Sequence, residues 1–389
     1  MRSQAALNEF DSKDGAALYI AMDVGDQRWE LGLTDGHGTI KTKSMEAGQF
    51  DELDEHLEWA EEYFDLDGDY QIASCYEAGR DGFWIHRVLE QRGIACGVID
   101  PGSLREEKKG PRAKTDRIDA EKLAVELVRW CDGHRDHGLN VIRVPGPEDE
   151  DDRHLFRERC DLVDRRISLT NQIESLLKTQ GIDEMPAAGS EAFADWVEGA
   201  STADGRPLGK RLTRRLKRIN RRLRQVREDI DEVEKERSAY LRGEGRQDNI
   251  EKARMLAGLR GIGELTAHAL VVELFGWREF QNRREIGAFV GMDGKRHDSG
   301  ETEKDGAITR KGDARIRKLV IQLARNWLRF QSETELARWA RRRFGDEDGG
   351  VSNRGVVALG RKLLNRLRVL LEDGVLPHGA RFEIQDFDD

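Results

Sequence analysis

The sequence predicts an α/β domain followed by a longer, mainly helical region. Three observations carry this expectation. Short apolar runs of strand length alternate with helical patterns as far as residue 145. Leucines then recur every seven residues, at Leu155, Leu162, Leu169 and Leu176, as along the seam of a long helix. Beyond residue 250 the apolar positions fall mostly at helical spacing, as in the run from Val356 to Leu371.

The 389 residues suffice for two or three domains with their own cores. No apolar run approaches a membrane span, and the N-terminus lacks a basic-then-apolar signal. Cys75, Cys96, Cys131 and Cys160 are scattered without a C-x-x-C pair, which suits free thiols in a reducing compartment. A cytoplasmic location and no membrane partner are therefore expected. The formal net charge of −10 argues against nucleic-acid binding when read globally. The charge is segregated, however: residues 45–70 hold no Lys or Arg, and residues 205–227 hold no acid.

Residues 1–16 read as a flexible polar leader, and 17–145 as the α/β domain. ALYIAMDVG (17–25) is a buried strand ending on Asp23. RWELGLTDG alternates Trp29, Leu31 and Leu33 with polar neighbours, and GTIKTKSMEA supplies a third strand. A helix follows over 49–64, then the strand YQIASCYEAG (70–79) carrying Glu77 near its end, a helix over Phe83–Leu89, and the strand IACGVID (94–100). The stretch AKTDRIDAEKLA (113–124) opens the next helix, with Thr115 as N-cap and Ile118, Leu123, Val125 and Leu127 as buried positions. Three strands, then helix, strand, helix, strand and helix, is the order of an RNase H-like sheet.

Asp116 and Asp119 lie one helical turn apart, flanked by Lys114 and Arg117. Taken alone they suit the positive end of a helix dipole as well as a hard cation near phosphate. Asp23 and Glu77 alone read as strand-end acids. If the first and fourth strands are neighbours, all four carboxylates meet at one sheet edge and can hold Mg2+, or Mn2+ in its place. Two such ions roughly 3.5–4 Å apart would activate one oxygen and stabilise another in phosphoryl transfer. CDGHRDHG (131–138) offers Cys131, His134 and His137 but no fourth zinc ligand, and reads as a helix-ending loop.

VPGPEDEDD (144–152) marks a boundary, and 146–250 reads as a coiled-coil region with an insertion. Val163 and Ile173 lie beside the first seam. The insertion, 181–209, has an apolar patch around Phe193 and Trp196. Leu212, Leu216, Ile219, Leu223, Val226, Ile230 and Val233 form the second seam, spaced by fours and threes. An antiparallel hairpin and pairing with another subunit both fit. Around the second seam, Arg214, Arg215, Arg218, Arg221 and Arg222 suit a polyphosphate partner, either structured RNA or duplex DNA; a solvated charged helix is the plainer alternative.

Residues 251–345 form the next expected domain, and 346–389 a closing helix with an acidic, disordered tail. MLAGLRGIGELTAHALVVELF (255–275) has the form of a helix-hairpin-helix, in which Gly261 and Gly263 let backbone N–H groups approach a phosphate. A plain turn between two helices would look the same. A polar loop with Ser299, Lys304, Arg310 and Lys311 leads into a helix with Arg315 and Arg317 on one side and Ile316, Leu319, Val320 and Leu323 on the other. By itself Ser299 is a turn serine.

Together these motifs resemble the DEDD-type insertion-sequence transposases of the IS-one-ten group. D-V-G on the first strand, Y-E-A-G on the fourth and A-K-T-D-R-I-D-A-x-x-L-A resemble that family's N-terminal domain. Gly261-Ile262-Gly263 with Thr266-Ala267, then Phe280 to Gly291, Ser299-Gly300, and Gly306 through Arg317, resemble its C-terminal domain. Gly258-Leu259-Arg260 and Gly294 depart from the family pattern.

The resemblance implies a RuvC-like N-terminal domain with Asp23, Glu77, Asp116 and Asp119 as its catalytic, Mg2+-holding acids. It implies Ser299 as nucleophile in a mainly helical transposase domain. It further implies donor and target duplex DNA, a structured guide RNA, and a dimer that assembles to a tetramer with a composite centre. On that expectation Lys114, Arg117, Lys304, Arg310, Lys311, Arg315 and Arg317 contact phosphate. The alternatives are a RuvC-like metal-dependent nuclease or junction resolvase without serine chemistry, and a non-catalytic nucleic-acid binder. A kinase-like ATPase shares the sheet, but the further Gly-rich phosphate turns it needs are not found after residue 130.

Overall fold

A computed structural model describes residues 7, 10, 16–66, 70–79, 82–100, 116–134, 139–280, 282–296, 305–308, 312–346 and 350–383. The side chains of 116–117, 294–296 and 305–307 are outside that description. The chain divides into two compact units, Met1–Pro145 and Gly146–Asp389. The division falls within the Pro145-Gly146-Pro147 run. The three regions expected beyond that point make a single unit.

In the first unit, β1 (Ala17–Val24), β2 (Arg28–Thr34), β3 (Lys41–Glu46), β4 (Gln71–Glu77), β5 (Ala95–Ile99) and β6 (Val141–Ile142) form one sheet of order β3-β2-β1-β4-β5-β6. The β1–β4 and β4–β5 pairs are parallel and the others antiparallel. This mixed order matches a RuvC-like domain. The two-residue β6 has too little pattern to be read from sequence.

Strand alternation sorts the core onto two faces. Leu18, Ile20 and Met22 share one with α1 (Phe50–Phe64) and α2 (Trp84–Gln91). Tyr19, Ala21, Ala73 and Cys75 share the other with α3 (Asp116–Cys131). Leu7 and Phe10 also lie in that second core, Phe10 edge-on to Tyr19. The expectation of a flexible leader over 1–16 is corrected at these two positions, which sit three apart and so can face one way.

α3 corrects a second expectation. It buries Ala120, Leu123, Ala124 and Leu127, whereas Ile118 and Val125 are exposed. The reason is steric. The carbonyl oxygen of Ala120 lies 2.7 Å from the place where a Cβ on Gly32 would stand. Only the small face of the helix, set against a glycine, comes this close to the sheet.

In the second unit, α4 (Pro147–Lys178) and α6 (Lys210–Ala239) run antiparallel as a hairpin. Arg159 pairs with Glu234 at one end, and Ile173 and Leu177 share a core with Leu216 and Ile219 at the other. On α6 five of the seven expected seam positions, Leu216, Ile219, Leu223, Ile230 and Val233, are buried, and Leu212 and Val226 are half-buried. On α4 it drifts. Leu162 is buried, but Ile173 and Leu177 take over from Leu169 and Leu176, which are half-buried. A straight α-helix turns about 20° per heptad against a strict seven-residue repeat. The insertion between them folds as α5 (Glu191–Gly199), and Phe193 and Val197 enter the same core. Asn220, buried on α6, accepts from the Gly189 N–H at 2.6 Å and donates to the Ser190 carbonyl at 2.9 Å, which pins α5 to the hairpin.

α7 (Gln247–Ala257) and α8 (Glu264–Leu270) follow, joined by a turn, then α9 (Arg283–Phe289), β7 (Gly294–Arg296), β8 (Asp305–Ile308), α10 (Ala314–Phe330), α11 (Glu335–Phe344) and α12 (Asn353–Asp373). The polar loop expected before α10 contains the antiparallel β7–β8 pair. α12 is no appendage: Leu363, Leu364, Leu367 and Leu370 lie in the main core of this unit. The tail expected to be disordered is docked as far as Glu383. Phe382 packs over Gly258, and the Glu383 N–H donates to the Gly258 carbonyl at 2.8 Å. The missing side chain at Gly258 makes room for that ring.

Candidate active site

The acids of the first unit are placed by strand register. Met22 on β1 pairs with Tyr76 on β4, so Asp23 and Glu77 follow at the same level on adjacent parallel strands. Glu77 in turn pairs with Ile99. By alternation both acids continue the rows Tyr19–Ala21 and Ala73–Cys75, which belong to the α3 face.

α3 runs antiparallel to β1. Val128 lies beside Gly36 near Tyr19, while Ala120 lies over Gly32, the partner of Ala21. From Ala120 back to Asp116 is one turn, about 6 Å of rise. From Ala21 on to Asp23 is two strand residues, about 6.6 Å. The head of α3 therefore reaches the level of Asp23. Asp116 continues the row of Ala120, Leu123 and Leu127 along the helix. Asp119 is half-buried and lies at the edge of that row. Backbone placement thus gathers the four positions at one end and one face of the sheet. Asp23, Glu77 and Asp119 each engage other groups of the protein.

Among the described residues, no three His, Cys, Asp or Glu side chains stand arranged for a metal ion. The Asp116 side chain lies outside the described residues. Carboxylate oxygens are the donors that Mg2+ and Mn2+ take, so the residue types fit a hard divalent cation. Cys131 is buried in the α3-side core and His134 is exposed. All four cysteines are free. Burial pushes the Cys96 thiol up to about 12, so it is no thiolate ligand.

In the second unit the expected site residues separate. Ser299, Lys304, Arg310 and Lys311 lie outside the described residues, as do Lys114 and the Arg117 side chain. By sequence Ser299 falls between β7 and β8. Just before α10 the chain comes close to α9: at Gly312 (φ +103°) a Cβ would strike the Phe289 carbonyl. Arg315 and Arg317 are committed to protein partners. Arg315 meets Asp161 of α4 at 3.0 Å, and Arg317 donates to the Val290 carbonyl at 3.1 Å. Gly261 (φ +94°) is accounted for by its turn, where a Cβ would lie 3.0 Å from Phe330. Gly263 is the N-cap of α8.

The arginines of α6 are arranged differently. Arg211, Arg214, Arg215, Arg218, Arg221 and Arg222 are all exposed. At about 100° per residue they fall within an arc of roughly 120° facing away from Leu216, Ile219 and Leu223. None of the six joins an ion pair among the described residues. Off the stripe, Lys217 pairs with Glu198, and Arg224 with Glu191 at 3.3 Å, both toward α5. The partners Asp161, Glu191 and Glu198 were not legible in the sequence, because pairing between separate helices carries no local signal.

Residues 20–181 match the family model described as a DEDD transposase domain, and residues 253–340 match the Transposase IS116/IS110/IS902 family model. Fold, acid placement and these matches define the class: an enzyme that cuts and rejoins DNA. The chain is 36% identical over 311 residues to a putative transposase, y4rJ, of Sinorhizobium fredii, covering 78% of each chain. It is 28% identical to the transposase for insertion sequence element IS1328 of Yersinia enterocolitica, over 65% of this chain and 70% of that one. To the transposase of IS1111A from Coxiella burnetii it is 26% identical, over 63% of this chain and 62% of the relative. The chain belongs to the IS110-type family of insertion-sequence transposases. No helix among the described residues is long and apolar enough to cross a membrane.

Proposed function

We propose that the protein moves a mobile DNA element by cutting and rejoining duplex DNA through a covalent link at Ser299. The observation that carries the reading is the gathering of Asp23, Glu77, Asp116 and Asp119 at one end of the sheet. These acids would hold Mg2+ or Mn2+, and the bound cation would supply positive charge where phosphate oxygens gain negative charge.

The serine Oγ attacks the phosphorus in line and the bond to the 3′ oxygen breaks. The serine proton passes to that oxygen, leaving a phosphoserine and a free 3′-hydroxyl. The covalent link conserves the phosphodiester, so the reverse attack by a 3′-hydroxyl rejoins DNA without a nucleotide cofactor. In the same reading a structured RNA pairs with donor and target DNA, and the exposed arginines of α6 hold its backbone. Dimers would pair into tetramers, with acids and serine meeting from different subunits. Lys114, Arg117, Lys304, Arg310 and Lys311 would contact the DNA near the cut.

A nicked donor duplex that releases, on cleavage, the short fragment ending in the free 3′-hydroxyl tests this. Wild-type protein is expected to form a denaturant-resistant protein–DNA adduct, and Ser299→Ala to form none. Cleavage and rejoining by Ser299→Ala would contradict the serine step and leave a plain RuvC-like nuclease.

A further inference from the structure

The hairpin of the second unit is not evenly closed. Toward its tip, Ile173 and Leu177 pack on Leu216, Ile219 and Leu223; toward its base, Leu162 packs on Ile230 and Val233. Between these, Leu169 and Val226 are only half-buried. They floor an open groove of about 400 Å³ walled by Arg165, Ser168, Arg222 and Gln225. Its size is within the roughly 300–1,000 Å³ typical of small-ligand sites.

We propose that this groove seats one unpaired base of a folded nucleic-acid strand whose backbone runs along the arginine stripe of α6. The inference rests on the nucleic-acid role proposed for that stripe, and Arg222 belongs to both. The apolar floor suits the face of a base and rejects a phosphate. Arg165 and Arg222 bring planar guanidiniums to the rim, able to stack on the base or pair with its flanking phosphates. No acid lines the groove. The six exposed arginines carry no aromatic side chain between them, so the stripe is no stacking platform for an extended single strand. A paired stem with one everted base meets both features. Pairing with a second copy would set guanidinium rims against each other across a two-fold axis, which like-charge repulsion opposes.

The groove also selects among bases. The Gln225 Nε2 donates to Asp229 Oδ1 at 3.0 Å, which fixes the amide and leaves its Oε1 as the acceptor. An acceptor there favours a base bearing an exocyclic amino group. Adenine, cytosine and guanine carry one on the pairing edge, whereas uracil and thymine offer only the ring N3–H, flanked by two carbonyl oxygens that repel a further acceptor.

The test is fluorescence anisotropy of the full chain with labelled hairpins of one stem sequence: fully paired, with one bulged adenine, or with one bulged uracil (thymine in DNA). Each is made as RNA and as DNA, and the set that shows the preference identifies the sugar. The bulged adenine is expected to bind about tenfold tighter than the paired stem, and about fivefold tighter than bulged uracil or thymine. Gln225→Leu should erase the difference between the two bulges. Val226→Trp, which fills the groove, should erase the advantage of any bulge while sparing paired-stem binding. Equal binding of bulged and paired stems, in RNA and in DNA, overturns the groove and spares the stripe. Absence of salt-dependent binding to every hairpin overturns both.

Discussion

The two units handle charge in opposite ways. In the α/β unit the four candidate acids sit at strand ends and at a helix head, positions fixed by backbone register and by a helix pressed against Gly32. In the helical unit the cations stand along the exposed back of α6, placed by helical periodicity alone and joined in no ion pair among the described residues. A site of the first kind positions atoms to within a fraction of an ångström, as in-line displacement requires. A site of the second kind tracks a charged polymer, for which number and spacing of charges matter more than exact position. On the proposed reading chemistry and grip are separated along the chain, so a net charge of −10 is compatible with a DNA-cutting and rejoining enzyme.

Breaking the acid end should have the largest effect. Asp23→Asn or Asp119→Asn is expected to lower the single-turnover cleavage rate of donor DNA by about a thousandfold or more, with the folded state kept. Substituting Arg214, Arg218 and Arg221 together by Ala should act differently. Affinity for a structured strand falls, and the slope of log affinity against log salt shrinks by about 3, one for each phosphate left unneutralised. If the slope is unchanged, those arginines do not face phosphate.

The contrast sharpens at the residues that set each frame. Gly32→Val should push α3 from the sheet, costing roughly 2–3 kcal/mol in a denaturant titration and lowering cleavage without altering the salt slope. Asn220→Leu removes the pin between α5 and α6 and leaves the Gly189 N–H and Ser190 carbonyl without their partner, a cost of about 2 kcal/mol. In that variant cleavage chemistry should survive.

A further effect, confined to low pH, is expected on acid stability. His268 is buried edge-on to Tyr240, 5.1 Å between ring centroids, with both ring nitrogens lacking a hydrogen-bond partner. Burial, then the Arg237 guanidinium, lowers its pKa from 6.5 to about 4. The unfolded chain gains a proton near pH 6.5 and the folded one only near pH 4. Stability present above pH 6.5 is therefore lost as pH falls through that window, by up to about 3 kcal/mol. His268→Phe should flatten this dependence in denaturant titrations at pH 4 to 7. A slope unchanged by the substitution would assign the loss elsewhere.

Much of the α/β unit was legible because its signals are local. Alternation in 17–34 and the acids near the ends of β1 and β4 are properties of neighbouring residues. What escaped depends on packing between distant parts. Nothing near Ile118 or Val125 says that α3 turns its alanines to the sheet; that follows from Gly32, far away in sequence. Leu7 and Phe10 looked like part of a polar leader because the core that receives them comes from other elements. Arg315 and Arg317 looked free because Asp161 and Val290 are remote partners. The neighbour relation of β1 and β4, on which the expected meeting of the four acids depends, is a property of the whole sheet and not of any one stretch.

The most direct test is a calorimetric titration of the nucleic-acid-free protein with Mn2+, comparing wild type with Asp23→Asn, Glu77→Gln, Asp116→Asn and Asp119→Asn. Saturable binding by the wild type, weakened by each of the four substitutions, is the expected result. Four variants that bind Mn2+ as the wild type does would mean that these carboxylates do not form one centre.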